Sequence, residues 1–113
     1  MTECDLIAKV SNGNKECESF LVSFLKISHE AEALLEVPPD NQDFLKLLAK
    51  LNLTMSAPFY VTNRAALFVP VQLFFVTFPV RPDEAFADFL ISVAVINVGF
   101  LRASELLKEW DSK

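Results

Sequence analysis

The sequence predicts an α+β domain, a small antiparallel sheet with helices packed on one face. Residues 53–62 alternate apolar and polar side chains, as a half-buried strand does, and an uncharged run at 65–78 follows after the turn pair Asn63-Arg64. A helical pattern precedes these two segments and another follows them. The chain has 113 residues, close to the commonest domain size, so we expect a single domain over 1–113.

The first third of the chain is predicted as a short strand and a longer segment that fits two structures. Asp5–Val10 alternates apolar and polar residues, which predicts a strand. Glu16–Val37 fits either one amphipathic helix or two strands, and the helical stripe is slightly favoured. Pro38 and Pro39 end the segment in both cases, because the residue before a proline is disfavoured in a helix.

The middle of the chain is predicted as a helix followed by a β-hairpin. The helix begins at Asp40, whose side chain suits an N-cap, and ends near Asn52. The hairpin pairs the strands Leu53–Thr62 and Ala65–Phe78. Each strand contains one proline, which predicts an edge position or a bulge.

A last helix is predicted to start in the segment Arg81-Pro82-Asp83-Glu84 and to run to about Trp110. A proline and acidic residues suit the first turn of a helix. The middle of this segment is apolar on nearly every side, which is typical of a helix covered on two sides. The β-branched residues before Gly99 suit a strand as well.

Composition and charge restrict the class of partner. The formal net charge is −5 and the isoelectric point about 4.8, which argues against a nucleic-acid partner, because phosphate backbones are bound by clustered Lys and Arg. The two cysteines imply no disulfide framework. The acidic start Met1–Asp5 lacks the basic segment of a secretory signal, so we expect a cytoplasmic protein.

No set of residues in the sequence predicts catalysis. His29 is the single histidine, and no Cys-x-x-Cys or His-x-x-x-His spacing is present, so we expect no metal site. Cys17 lies twelve residues before His29, too far for a hydrogen bond within one helix, and no third group orients the pair. The two glycines build no known phosphate-binding loop. We therefore expect no catalytic residues, no enzyme activity and no cofactor.

The second half of the chain is more apolar than a small monomer needs. Residues 65–80 contain no charged side chain, and residues 85–101 contain one, Asp88. We expect part of this surface to meet a protein partner or a second copy, since large apolar patches mark interaction sites. Each candidate position also fits an ordinary core. The predicted partner-binding residues are Phe74, Phe78, Phe86, Ile91 and Val95.

A membrane hairpin is the weaker interpretation of the same two segments. Each is shorter than the ~20 residues that a spanning helix needs. The first contains two prolines and the second contains Asp88 and Asn97. A buried strand and a buried helix fit them better, so we expect no membrane partner.

Residues 40–110 resemble the YbjN-like and type III secretion chaperone-like (Tir chaperone) superfamily. The stretch of sequence that carries the resemblance is DNQDFLKLLAKLNLTMSAPFYVTNRAALFVPVQL followed by VRPDEAFADFLISVA. It shows a helix ending in Leu51-Asn52, two short apolar strands, and a helix that starts at Pro82-Asp83-Glu84. The resemblance implies a small acidic dimer that binds segments of other proteins without catalysis.

The predicted function is non-enzymatic protein binding, as a chaperone-like or regulatory adaptor in a bacterial cytosol. The chain is expected to act as a homodimer through apolar surface of its C-terminal half. The alternative is a small acidic inhibitor or immunity-type protein that blocks one protein target through its acidic N-terminal third. Strong salt dependence of binding would favour that alternative, because charge attraction is screened and apolar burial is not.

Overall fold

The structure is a computed structural model that describes residues 2–35 and 41–112. Within these ranges the chain forms helices and no strands. The helices are α1 (Glu3–Ser11), α2 (Lys15–Leu35), α3 (Asn41–Met55), α4 (Pro58–Thr62), α5 (Arg64–Thr77), α6 (Pro82–Val98) and α7 (Phe100–Asp111). The helix α6 lies at the centre and packs against α1, α2, α5 and α7.

The predicted α+β class is therefore wrong, because both halves of the predicted hairpin are helical. The predicted strand Ala65–Phe78 corresponds to α5, whose buried residues Leu67, Val71 and Phe74 follow the i, i+4, i+7 spacing of a helix. An uncharged run has few polar residues whose spacing could show which side faces water, so its sequence does not distinguish a strand from a helix. Burial against the rest of the chain makes that distinction.

The other predicted strand, Leu53–Thr62, spans the end of α3 and the whole of α4. Pro58 opens α4 at a first helical position, where a proline loses no hydrogen bond within the helix. Burial does not follow the apolar–polar alternation of the sequence. Phe59 is buried, but Leu53 and Val61 are exposed.

The predicted strand Asp5–Val10 lies within α1 and is also wrong. Thr2 caps this helix: the backbone N–H of Asp5 donates to the Thr2 hydroxyl, and the backbone N–H of Thr2 donates to the Asp5 carboxylate, both at 3.1 Å. This reciprocal pair satisfies N–H groups that the start of a helix leaves free. The neighbours Leu6 and Ile7 are both buried, which a strand with one covered face does not allow.

The helix that was slightly favoured for Glu16–Val37 is confirmed in the described part as α2. The side-chain oxygen of Asn14 accepts a hydrogen bond from the backbone N–H of Cys17 at 3.1 Å, which caps the start of the helix. The predicted stops Pro38 and Pro39 lie outside the described residues.

The helix predicted to end near Asn52 corresponds to α3, which continues a few residues further. Its predicted N-cap, Asp40, lies outside the described residues. On the surface, Lys50 of α3 forms an ion pair with Glu30 of α2 at 2.8 Å. This pair joins the two helices next to their packed faces.

The predicted single helix from Arg81 to about Trp110 is divided at Gly99. The helix α6 ends one residue before this glycine, and α7 begins one residue after it. Gly99 has φ +86° and ψ 167°, a backbone region that is essentially restricted to glycine. The glycine thus sets the angle at which α7 packs back on α6 and α1.

Phenylalanine rings fill the centre of the core. The ring of Phe24 on α2 stacks on Phe89 of α6, with 4.4 Å between centroids, and meets Phe74 of α5 edge to face at 4.8 Å. Phe20 on α2 also contacts Phe89. Each such pair stabilises by about 0.5–1.5 kcal/mol beyond the burial of area. A large part of the apolar second half is therefore covered within the chain.

Candidate functional site

The five residues predicted to bind a partner do not form one exposed surface. Phe74, Phe78 and Phe86 are 6–7% exposed and belong to the core. Ile91 is partly buried against that core, and Val95 on α6 is 40% exposed. A partner of the folded chain can touch Val95 but not the bulk of the three rings. The role of these residues in partner binding stays a prediction.

An apolar surface that the sequence pattern did not indicate runs along the outer side of α5. Five of its residues follow one another at spacings of four, four, three and four, so they line the side of the helix away from the core. The last of the five lies in the turn after the helix, and two phenylalanines flank the row. These seven residues, which we call the α5 face, are Ala65, Phe68, Val69, Leu73, Phe75, Val76 and Val80.

The α5 face is exposed and uncharged. Its six large residues range from 42% exposed at Phe75 to 75% at Val76 and Val80. The polar residue Gln72 is exposed within this face, since its helix neighbours three and four positions away include Phe68, Val69, Phe75 and Val76. No charged residue occurs from 65 to 80. In a strand these residues would be divided between two faces, so the row becomes visible only when the segment is known to be helical.

A groove between α5 and α6 borders the α5 face. Its volume is about 240 Å³, and Phe74 and Phe89 are at its base. The hydroxyl of Ser92 donates to the backbone oxygen of Asp88 at 3.1 Å, so it does not bind the Asp88 carboxylate. The walls of this α5–α6 groove are Pro70, Leu73 and Thr77 from α5, and Ala85, Asp88 and Ser92 from α6.

A second cleft, of about 400 Å³, holds the histidine. The Nε2 atom of His29 lies 3.1 Å from a carboxylate oxygen of Glu3, and Nδ1 lies 3.7 Å from one of Glu32. The adjacent Ser28 donates its hydroxyl proton to the carbonyl of Phe24 at 2.9 Å, so it is not paired with His29 as a nucleophile is paired with its base. The side chains of His29, Glu3 and Glu32 are 57%, 36% and 47% exposed, and contacts between side chains this open to solvent contribute little to stability.

The thiol of Cys17 is buried and accepts a hydrogen bond from a residue of another helix. The Nδ2 atom of Asn97 donates to Cys17 Sγ and to the backbone carbonyl of Val10, both at 3.1 Å. Burial raises the pKa of the Cys17 thiol, which disfavours the reactive thiolate. Cys17 and His29 lie on the same helix, about 18 Å apart along its axis, so the predicted separation of the two side chains is confirmed.

Two further features bear on cofactors and membranes. Among residues 2–35 and 41–112, no group of three or more His, Cys, Asp or Glu side chains is placed to hold a metal ion. None of the described helices is both long enough and apolar enough to cross a lipid bilayer.

No family model, curated protein or solved structure matches this chain. The resemblance over residues 40–110 therefore stays a prediction. The two strands that it implied are helical segments in this structure.

Proposed function

We propose that this chain is a non-enzymatic protein-binding module, of the chaperone-like or regulatory-adaptor type, that works as a homodimer joined through the α5 face. The observation that carries the proposal is the exposed, uncharged row of large side chains on α5. Leaving such a row in water is unfavourable by about 25 cal/mol for each Å² of apolar surface. Association of two copies removes that cost.

The size of the α5 face suits a second copy. With full areas on the order of 150–200 Å² for each large residue, near the lower end of what an aromatic side chain buries, the exposed fractions of the six large residues correspond to roughly 600 Å². Two copies would then bury on the order of 1,200 Å², the lower bound for a stable specific interface. A patch of this size is also at the upper end of what monomers expose.

The lack of charge on the α5 face also favours self-association. A two-fold dimer places the same patch of both copies in contact, so any charged residue near its centre meets a like charge. The α5 face contains none. The acidic inhibitor is less well supported, because Glu3 and Glu30 in the N-terminal third already bind His29 and Lys50 of the same chain.

The test is light scattering on a gel-filtered sample without detergent, across protein concentration. We expect a mass of about twice 12.7 kDa for the wild-type chain. Leu73→Glu places a charge on the α5 face, at its border with the α5–α6 groove, and is expected to give a folded monomer. A wild-type monomer at all concentrations would contradict the proposal.

The matched control is Leu101→Glu, which makes the same substitution at an exposed leucine of α7. It should leave the dimer intact, and loss of the dimer in both variants would count against a specific role of the α5 face. Phe78→Asp is not informative about association, because this ring is buried and the substitution is expected to unfold the domain. Circular dichroism separates unfolding from dissociation.

A further inference from the structure

Asp88 is the charged residue among those that line the α5–α6 groove, and it stands in the middle of the α6 wall. Its side chain is exposed, and its carboxylate has neither a hydrogen bond nor an ion pair within the described part of the chain. Pro70 and Leu73 are apolar residues of the α5 wall, and the buried rings of Phe74 and Phe89 form the base. The groove thus combines an apolar base and wall with a single negative charge.

We propose that the α5–α6 groove binds a segment of another protein that places a Lys or Arg side chain against Asp88 and apolar side chains against Pro70 and the base formed by Phe74 and Phe89. A cation is the group that complements an unpaired carboxylate. The aliphatic stem of Lys or Arg packs on apolar surface while its charged end reaches a carboxylate, so one side chain satisfies both features of the groove. This inference goes beyond the proposed homodimer and assigns a site to its client.

The α5 face of a second copy does not itself complement Asp88. A copy that joins through this face presents residues 65–80, which contain no Lys or Arg. The basic residues next to the face are Arg64 and Arg81, and Arg81 pairs with Glu84 of its own chain. The groove therefore fits a chain that carries a basic residue among apolar ones better than it fits the α5 face.

The shape of the groove fits a short helical or extended segment. Each wall is formed by three residues, and the first and last of them are seven residues apart along the helix, 70–77 on α5 and 85–92 on α6. Seven steps correspond to about 10 Å of helix length. Two turns of a helix, or three to four extended residues, cover that length.

The test uses two fluorescein-labelled peptides rich in Leu and Ala that differ at one central residue, Lys or Glu. Their dissociation constants for the full chain are measured by fluorescence anisotropy at low salt. We expect the Lys peptide to bind the wild-type chain about fivefold more tightly than the Glu peptide. Asp88→Asn should abolish this preference, Asp88→Lys should reverse it, and added NaCl should reduce it in the wild type.

The matched control is Asp83→Asn, which removes another exposed acid of α6 that lines the His29 cleft and not the groove. It should keep the wild-type preference for the Lys peptide. Failure of both peptides to bind, or the same preference in Asp88→Lys as in the wild type, would overturn the inference.

The mass of each Asp88 variant is measured in parallel. Because these variants leave the α5 face unchanged, a dimer without peptide preference refutes the groove site alone. A monomer that prefers the Lys peptide refutes the homodimer alone.

Discussion

Replacement of Asn97 by Leu is expected to destabilise the fold, although a leucine suits the apolar surroundings of α6. The side-chain amide of Asn97 joins three helices: it belongs to α6 and donates to Val10 on α1 and to Cys17 on α2. Val10 lies in the last turn of α1, where backbone carbonyls have no partner inside the helix. Asn97 thus supplies a hydrogen bond that the end of α1 lacks.

The magnitude follows from these contacts. A neutral hydrogen bond contributes a net ~1 kcal/mol, and the bond to sulfur contributes less. Leaving the partly buried Val10 carbonyl unsatisfied costs about 1–3 kcal/mol. Leucine has a higher helix propensity than asparagine, which returns a few tenths of a kcal/mol. We expect the free energy of unfolding to fall by about 2 kcal/mol, a large share of the ~5–15 kcal/mol that holds a domain together.

Urea denaturation followed by circular dichroism measures this loss. At one protein concentration, the midpoint for Asn97→Leu should fall by about 1–2 M with the slope unchanged. The control is Ser92→Ala on the same helix, where a hydroxyl bonded to its own helix backbone is removed. It should stay within about 0.5 kcal/mol of the wild type. An Asn97→Leu midpoint equal to that of the control would refute the bridging role.

Two further predictions concern the chain ends of helices. Gly99→Ala should lower the free energy of unfolding by about 1–3 kcal/mol in the same assay, because alanine is strained at φ +86°. A clash is not the cause, since an added Cβ meets no atom within 4 Å. An unchanged urea midpoint would contradict the need for glycine at this position. Hydrogen bonds from Thr2 to the Asp5 carboxylate, chiefly the one from the Thr2 backbone N–H, hold the pKa of Asp5 below its ordinary 3.8. These hydrogen bonds therefore stabilise the folded state above pH 3.8, and this contribution is lost as the pH falls through the lowered pKa that Asp5 has in the folded state. The difference in urea midpoint between the wild type and Asp5→Asn should shrink over that range, and a constant difference would contradict the linkage.

Local signals in the sequence located the start of α6 and, to within a few residues, the end of α3. Pro82 with the acids after it starts α6, as expected, and the helical pattern before Asn52 corresponds to α3. These signals act through backbone dihedrals and unpaired N–H groups close in sequence, so they need no tertiary contact. The break at Gly99 was not predicted, because a lone glycine can also stay inside a helix.

The same local signals could not predict whether the segments between these boundaries form helices or strands. In 53–62 the alternation of apolar residues suggested a strand, but Leu53 and Val61 are exposed while Phe59 is buried. Ten residues provide too few periods to separate spacings of 2 and 3.6. Packing against α2 and α5 decides that this part of the chain is helical.

The candidate site, too, could be predicted from the sequence only in part. The uncharged segment 65–80, the isolated Asp88 in the apolar run after it and the lack of a recognised catalytic or metal motif are all visible in the amino-acid sequence. Which of the apolar residues face water depends instead on how the helices pack. Phe74 and Phe75 are adjacent and chemically identical, yet Phe74 is 6% exposed and Phe75 is 42% exposed. A helix turns successive side chains by about 100°, and the position of the other helices then determines which of the two is covered.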